Sequence, residues 1–234
     1  MILVTGASAN HFLSLCNLIE SIFKNVDSAQ HKLIVYDLGL DTNQIKKINE
    51  FVNRYGNASI KTFDYDIHPD WFDITVNAGE YAWKTSIIYD TFKSHHGEII
   101  LWMDAGNLVH NNLEQLIKYI ETNHIHSDTA SGTIKDWTHP QTIEYMLCKD
   151  TGKPNRNAAC LGFNTKTDWV CELLEDHRKH CFIKECIAPE GSSRQNHRQD
   201  QSVFTILYYA YQQKHGFNNN KMNDYGYTIH NDVE

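Results

Sequence analysis

The segment from Gly97 to Val109, GEIILWMDAGNLV, sets a carboxylate, Asp104, directly behind the apolar run Ile99-Ile100-Leu101-Trp102-Met103. An acid at the tip of a buried strand needs a partner, because an uncompensated buried charge costs several kcal/mol. A metal, a ribose or a basic side chain would serve; so would the next helix, if the acid caps it, or a core arginine. Ala105 and Gly106 follow with almost no side-chain volume, which leaves room for a ligand to approach the backbone. A second polar concentration is RQNHRQDQSVF, Arg194 to Phe204. Asp200 opens an apolar helix there, as its cap or as a reactive acid. Arg194, His197 and Arg198 just before it offer positive charge to a phosphate or an acidic sugar, or form a solvated loop. HRKHCFIKEC, His177 to Cys186, bunches two histidines and two cysteines, but their spacing fits no common zinc pattern.

The elements that must position these residues belong to a chain of 234 residues, enough for one α/β domain with a real core. Its net charge of -8 argues against a general nucleic-acid binder, which needs a basic face. The six cysteines are irregularly spaced and form no CxxC, so they read as reduced thiols of a cytoplasmic protein. Met1-Ile2-Leu3-Val4 reads as a first strand rather than a secretory leader. No apolar run reaches the roughly 18 residues of a membrane span; peripheral membrane contact stays open.

Along the chain, ILVTGAS is a short strand entering a small-residue loop. HFLSLCNLIESIFKN has helical periodicity, with Phe12, Leu15, Leu18, Ile19 and Ile22 on one face. His31–Leu40 is a second β-run. A helix capped by Thr42 runs to Gly56, and Ile60–Asp66 is a third strand. Tyr81–Gly97 is a helix stopped by its glycine, and Asn112–Asn123 is another. Strands alternating with amphipathic helices predict a mostly parallel central sheet with helices on both faces, in a single domain over 1–234 that is either a whole protein or one domain of a longer one. Further on, ACLGFNT reads as a strand, TDWVCELLEDHRKH and DQSVFTILYYAYQQ as helices, and the tail YGYTIHNDVE as irregular.

VTGASANHF suggests a dinucleotide-binding turn, but Asn10 and Phe12 stand where such a turn needs further glycines, and no Tyr-x-x-x-Lys pair follows. A nucleotidyltransferase is disfavoured because TGASANHF has no basic residue except His11.

SANHF, YDLGL, YAWK, LWMDAG and DQSVF occur in that order between Ser8 and Phe204. Together they resemble glycosyltransferases of the GT-A fold, similar to the glycogenin-like family 8 enzymes and closer still to a group of less characterised GT-A-like proteins. The resemblance implies a nucleotide diphosphate sugar as donor, and a glycan or lipid-linked acceptor. Thr5, Gly6 and Ala7 would receive the nucleoside, with Tyr36 and Asp37 near the base or ribose. Lys84 would contact the diphosphate, although a lone helix lysine is equally a solvated one. Asp104, with Ala105 and Gly106 beside it, aligns with the first acid of a DxD motif that binds Mn²⁺ or Mg²⁺. Gly106 replaces the second acid, which puts the metal in question and favours an alternative: a sugar-nucleotide or glycan binder without turnover. Asn107 could assist weakly, and His230 would complete the metal shell or stand free near the terminus. Asp200 would serve as general base in an inverting enzyme or stabilise an oxocarbenium-like state in a retaining one. SGTIKDWTH and NAACLGFNT fit acceptor-side segments, so that Trp137, Gly162, His197 and Arg198 would face the acceptor. A core tryptophan is the competing meaning of Trp137.

Overall fold

The structure is a computed structural model and describes residues 1–218 and 224–233. β1 (Ile2–Ala7) is buried along its whole length and leads through a short turn into α1 (Phe12–Asn25). Leu15, Leu18, Ile19 and Ile22 form the buried stripe of α1, as its periodicity predicts, while Phe12 is only partly covered. β2 (Lys32–Asp37) precedes α2 (Thr42–Tyr55). The cap of α2 is Asp41, not Thr42. The Asp41 carboxylate accepts from the Asn43 and Gln44 amides, and the Gln44 side chain accepts from the Asp41 amide. β3 (Ala58–Thr62) starts and ends earlier than its apolar run suggested, because Asp64 accepts from the Asp66 amide and turns the chain.

α3 (Ala82–Ser94), β4 (Ile99–Met103), β5 (Leu108–Val109) and α4 (Glu114–Asn123) follow. Then come β6 (Ile125–Thr133), α5 (Ile134–Trp137), α6 (Pro140–Tyr145) and β7 (Pro154–Asn164). α7 (Asp168–Cys181), α8 (Lys184–Ile187), α9 (Gln199–His215) and β8 (Tyr227–Thr228) complete the order. The central sheet has six strands in the order β3-β2-β1-β4-β7-β6. β3, β2, β1 and β4 are parallel; β7 runs antiparallel to both β4 and β6. Successive residues feed opposite layers: Leu3, Leu33 and Leu101 pack in one core with the buried stripes of α1, α2 and α4. Val4, Ile34 and Ile100 pack in the other with apolar residues of α3, α7 and α9. Both faces of the parallel strands are thereby covered. The tail is not wholly irregular, since β8 pairs antiparallel with β5, Leu108 opposite Thr228.

Two features of this frame decide where the site forms. β7 starts at Pro154, well before its apolar run, and carries a buried polar stretch, Asn155-Arg156-Asn157, past the carboxyl end of β4. Ahead of α3, the five residues Asn77, Ala78, Gly79, Glu80 and Tyr81 all have left-handed backbone angles, φ 50, 54, 60, 49 and 56°. Such a run costs roughly 1–2 kcal/mol per non-glycine residue, so packing must enforce it. The Trp83 indole donates to the Ala78 carbonyl across it, and Gly79 is wedged against the Phe72 carbonyl. The turn brings the chain into α3 with Tyr81 and Lys84 facing the carboxyl ends of the strands. Gly79→Ala adds a Cβ that collides with the Phe72 carbonyl in a backbone conformation already adverse to it. The expected loss is roughly 2–4 kcal/mol of stability at unchanged m-value, checked by urea unfolding.

Candidate active site

A cavity of about 560 Å³ opens at the carboxyl ends of β1 and β4. Its floor is a buried charge cluster built from three elements. Lys84, in the first turn of α3, is 3 % exposed. Its Nζ lies 3.0 Å from Oδ1 of Asp104, behind β4, and 3.5 Å from Oδ2 of Asp200, in the first turn of α9. It also donates to the Ala158 carbonyl of β7 at 3.3 Å. The Trp102 indole N–H donates to the same Asp104 oxygen at 2.6 Å. Asp104 therefore pairs with a lysine, neither capping a helix nor meeting an arginine. Asp200 is not the helix cap either: Arg198 occupies that position and makes no side-chain capping bond.

Burial opposes the charge on Lys84, but Asp104 and Asp200 outweigh it and hold its pKa above the ordinary lysine value. Burial pushes the Asp200 carboxyl up to about 6; Lys84 works against that shift and Asp104 adds to it. Asp200 Oδ2 has the ion-pair contact but no hydrogen bond. Beneath it, the His177 Nε2–H donates to the Asp200 carbonyl at 3.2 Å, and burial lowers the His177 pKa to about 4 and keeps the ring neutral.

Gly6 and Ala7 line the cavity as expected, together with Ser8. Thr5 does not; it is buried one residue back in β1. Tyr36 and Asp37 also lie outside the lining. Tyr36 is buried under α3 with its hydroxyl reaching Thr91, and a Cβ on Gly6 would press on Tyr36 at 3.0 Å. Asp37 Oδ1 accepts from the Gly39 and Leu40 amides at 2.8 and 2.7 Å, so its carboxylate shapes the turn and Leu38 faces the cavity instead. Ala105, Gly106, His230, Trp137 and Arg198 all line the cavity. Gly162 does not face it. It sits mid-strand in β7, opposite Leu101, where a Cβ would strike Ile120 of α4; its smallness serves helix packing. His197 is fully buried: its Nε2–H donates to the Ile187 carbonyl at 2.8 Å and its Nδ1 accepts from the His139 amide at 3.2 Å. Burial lowers its pKa to about 4, so it brings no positive charge to a ligand.

The tail supplies a residue that the sequence did not mark. The Asn231 amide donates to the Gly106 carbonyl at 2.6 Å, and Val233 and Ser14 exchange hydrogen bonds at 2.8 and 3.0 Å. This pinning lays the Asp232 carboxylate directly on Gly106, where any Cβ would collide with it. A carboxylate from the tail thus occupies the space that Gly106 leaves open. Next to it, buried Asn107 donates to the Ala159 carbonyl at 2.8 Å while its Oδ1 has no hydrogen-bond partner. Among the described residues no group of three or more His, Cys, Asp or Glu side chains is gathered to hold a metal ion, the His177–Cys186 segment included. No helix among them is long and apolar enough to cross a membrane.

This architecture is the GT-A fold of glycosyltransferases. The chain superimposes on the apo bifunctional glycosyltransferase WbbM with a TM-score of 0.62 at 14 % identity, covering 90 % of this chain and 37 % of that one. It matches the galactosyltransferase LgtC, solved with donor and acceptor sugar analogues, with a TM-score of 0.57 at 16 % identity, covering 89 % and 70 %. For apo mouse xyloside xylosyltransferase 1 the TM-score is 0.53 at 10 % identity, covering 92 % and 82 %. The chain thus spans little more than a third of WbbM. A family described as a protein of unknown function (DUF1647) matches residues 1–89. No curated protein matches the chain.

Asp200 retains its proton up to about pH 6 in the folded chain, against about 3.9 for an ordinary aspartate. Between those values the folded state binds more protons than the unfolded state, so this group's contribution to stability falls as pH rises. Asp200→Asn removes that dependence. Its unfolding free energy, measured in urea, should gain on the wild type from about pH 4 to about pH 7. A pH-independent difference would contradict the burial of the ionised acid.

Proposed function

We propose that the protein is a glycosyltransferase that moves a sugar from a nucleotide diphosphate sugar to a glycan or lipid-linked acceptor. The observation that carries this reading is the Asp104–Lys84–Asp200 cluster on the floor of a cavity at the carboxyl end of β4, within a GT-A fold. Ligands of such sheets bind outside the carboxyl ends of the strands. The Gly6–Ser8 loop of β1 offers the nucleoside a surface with little side-chain bulk. In the transfer, the bond from the anomeric carbon to the diphosphate oxygen breaks and the diphosphate leaves with the electron pair. A bond from the acceptor oxygen to that carbon forms. In an inverting displacement Asp200 takes the acceptor's proton, for which a pKa of about 6 suits it. In a retaining one its charge supports the electron-poor carbon.

Lys84 has its directions filled by Asp104, Asp200 and the Ala158 carbonyl. Its role is to hold the two acids in place, rather than the diphosphate contact that the family resemblance implies. A divalent cation, Mn²⁺ or Mg²⁺, would supply the charge that neutralises the departing diphosphate. Donors of the right kind line the cavity for it: the carboxylates of Asp104 and Asp232, the orphaned Oδ1 of Asn107 and His230. Because these groups are not drawn into a ready cluster, the cation and the nucleotide are expected to bind together. The alternative of a binder without turnover took its support from Gly106; an Asp232 carboxylate lying on Gly106 weakens that support.

UDP-, GDP-, CMP- and dTDP-sugars, each with and without Mn²⁺, are to be tested by thermal shift. One nucleotide should raise the melting temperature by about 5 °C or more at saturation, and only with Mn²⁺. Asp104→Ala and Asp232→Asn should each abolish the Mn²⁺-dependent part while the unliganded proteins still melt cooperatively. A shift that ignores Mn²⁺ and both substitutions would remove the cation from this reading. No shift with any nucleotide would remove the donor site.

A further inference from the structure

Two cations on the rim of the cavity have no part in the chemistry above. The Arg198 guanidinium lies 4.1 Å from the ring centre of Trp137, and the Arg194 guanidinium lies 5.6 Å from that of Tyr81. Among the described residues neither forms an ion pair. The cavity lining has three formal cations, Lys84, Arg194 and Arg198, and three acids, Asp104, Asp200 and Asp232. Lys84 is held by Asp104 and Asp200, and Asp232 lies 4.0 Å from His11 on the opposite side. The two arginines are therefore left over, in a chain whose net charge is -8 and which has acids to spare for pairing them.

Sheet order places the Arg198–Trp137 pair away from the nucleoside, while Arg194 lies over Tyr81 at the turn into α3. β4, with Asp104 behind it, lies between β1, which leads into the Gly6–Ser8 loop, and the β7–β6 edge. Trp137 closes the short α5 that directly follows β6, so the Arg198–Trp137 pair belongs to the β7–β6 side. That pair is built rather than incidental. The Arg198 amide donates to the Trp137 carbonyl at 3.1 Å, the Ser202 hydroxyl donates to the same carbonyl at 2.6 Å, and the Arg198 amide also donates to that hydroxyl at 3.0 Å. A guanidinium stacked on an indole keeps its planar edge of N–H donors free, the shape that takes a carboxylate or phosphate in two parallel bonds.

We propose that the acceptor is an anionic glycan, a sugar bearing a carboxylate or phosphate group. Arg198 and Arg194 take that group, the face of the sugar lies along Trp137, and the hydroxyl that receives the transferred sugar is turned toward Asp200. This inference rests on the glycosyltransferase reading and adds the charge of the acceptor to it.

The test is a glycan array of neutral, uronate-bearing and phosphate-bearing oligosaccharides, probed with the protein saturated with UDP and Mn²⁺, and repeated with Arg194→Ala/Arg198→Ala. UDP binding is measured separately by calorimetry on both proteins. The wild type should retain acidic glycans about tenfold or more above their neutral counterparts, and uronate against phosphate retention identifies the group. The double variant should lose that preference while keeping UDP affinity and melting temperature, and Arg198→Lys should restore it only in part. Neutral glycans bound as well as acidic ones, or no glycan bound, would overturn the proposal. So would loss of UDP affinity in the double variant, which would give the arginines to the donor diphosphate. Failure of UDP to bind the wild type moves the same assay to GDP, CMP and dTDP; failure of all four is the separate result that overturns the glycosyltransferase reading itself, and this proposal with it.

Discussion

A lysine ammonium buried to 3 % exposure is tolerated only where opposite charge compensates the loss of water, and the architecture of the site follows from that requirement. Lys84 needs Asp104 and Asp200 together, so β4, α3 and α9 must converge at one point. β7 contributes the Ala158 carbonyl, and the Trp102 indole fixes the Asp104 oxygen that faces the lysine. Asp200, as deeply buried, also needs the lysine. The resulting cluster is a polar floor under a cavity whose walls are otherwise ordinary sheet and helix surface.

The frame meets that requirement with two local departures from regular structure. The left-handed run Asn77–Tyr81 aims the first turn of α3 at the strand ends, and its conformational cost is met by the packing of Gly79 and the indole of Trp83. The antiparallel β7 closes the other side. A further parallel strand would have carried its polar start to the far end of the sheet. Running antiparallel, β7 brings Asn155, Asn157 and Ala158 to the same end as Asp104.

Charge is divided across the cavity. Asp232 and the imidazoles of His11 and His230 gather on the side of β1 and the tail, with Asp104 and Asp200 on the floor around Lys84. The Arg198 guanidinium on Trp137 stands on the side of β7 and β6, and the Arg194 guanidinium lies over Tyr81 at the turn into α3. Under the proposed transfer such a division lets each half attract a different partner.

Much of this was legible in the sequence because it is local. The apolar periodicity of α1, the continuous runs of β1, β2 and β4, and an acid closing β4 are properties of neighbouring residues, and they determined a mostly parallel α/β sheet with Asp104 at its carboxyl edge. Asp200 stood out because a lone acid opens an otherwise apolar helix. The cap of α2 was misplaced by a single residue, since Asp41 and Thr42 are both good caps and only backbone geometry separates them. β6 was missed because half of its length is polar and exposed. The partners of the site are not local, and only the tertiary structure decided them. Tyr36, Asp37, Gly162 and His197 carry suggestive side chains, but turn hydrogen bonds and packing against α3, α4 and α8 engage them away from the cavity. Asp232 has no distinguishing neighbour in its segment. It reaches the site because β5 and β8 pair and Ser14 pins the chain end, so that a carboxylate fills the space left by Gly106. Sequence spacing determines what a helix or strand presents on its face; which distant side chain meets it depends on packing between elements, and that is not encoded in any one stretch.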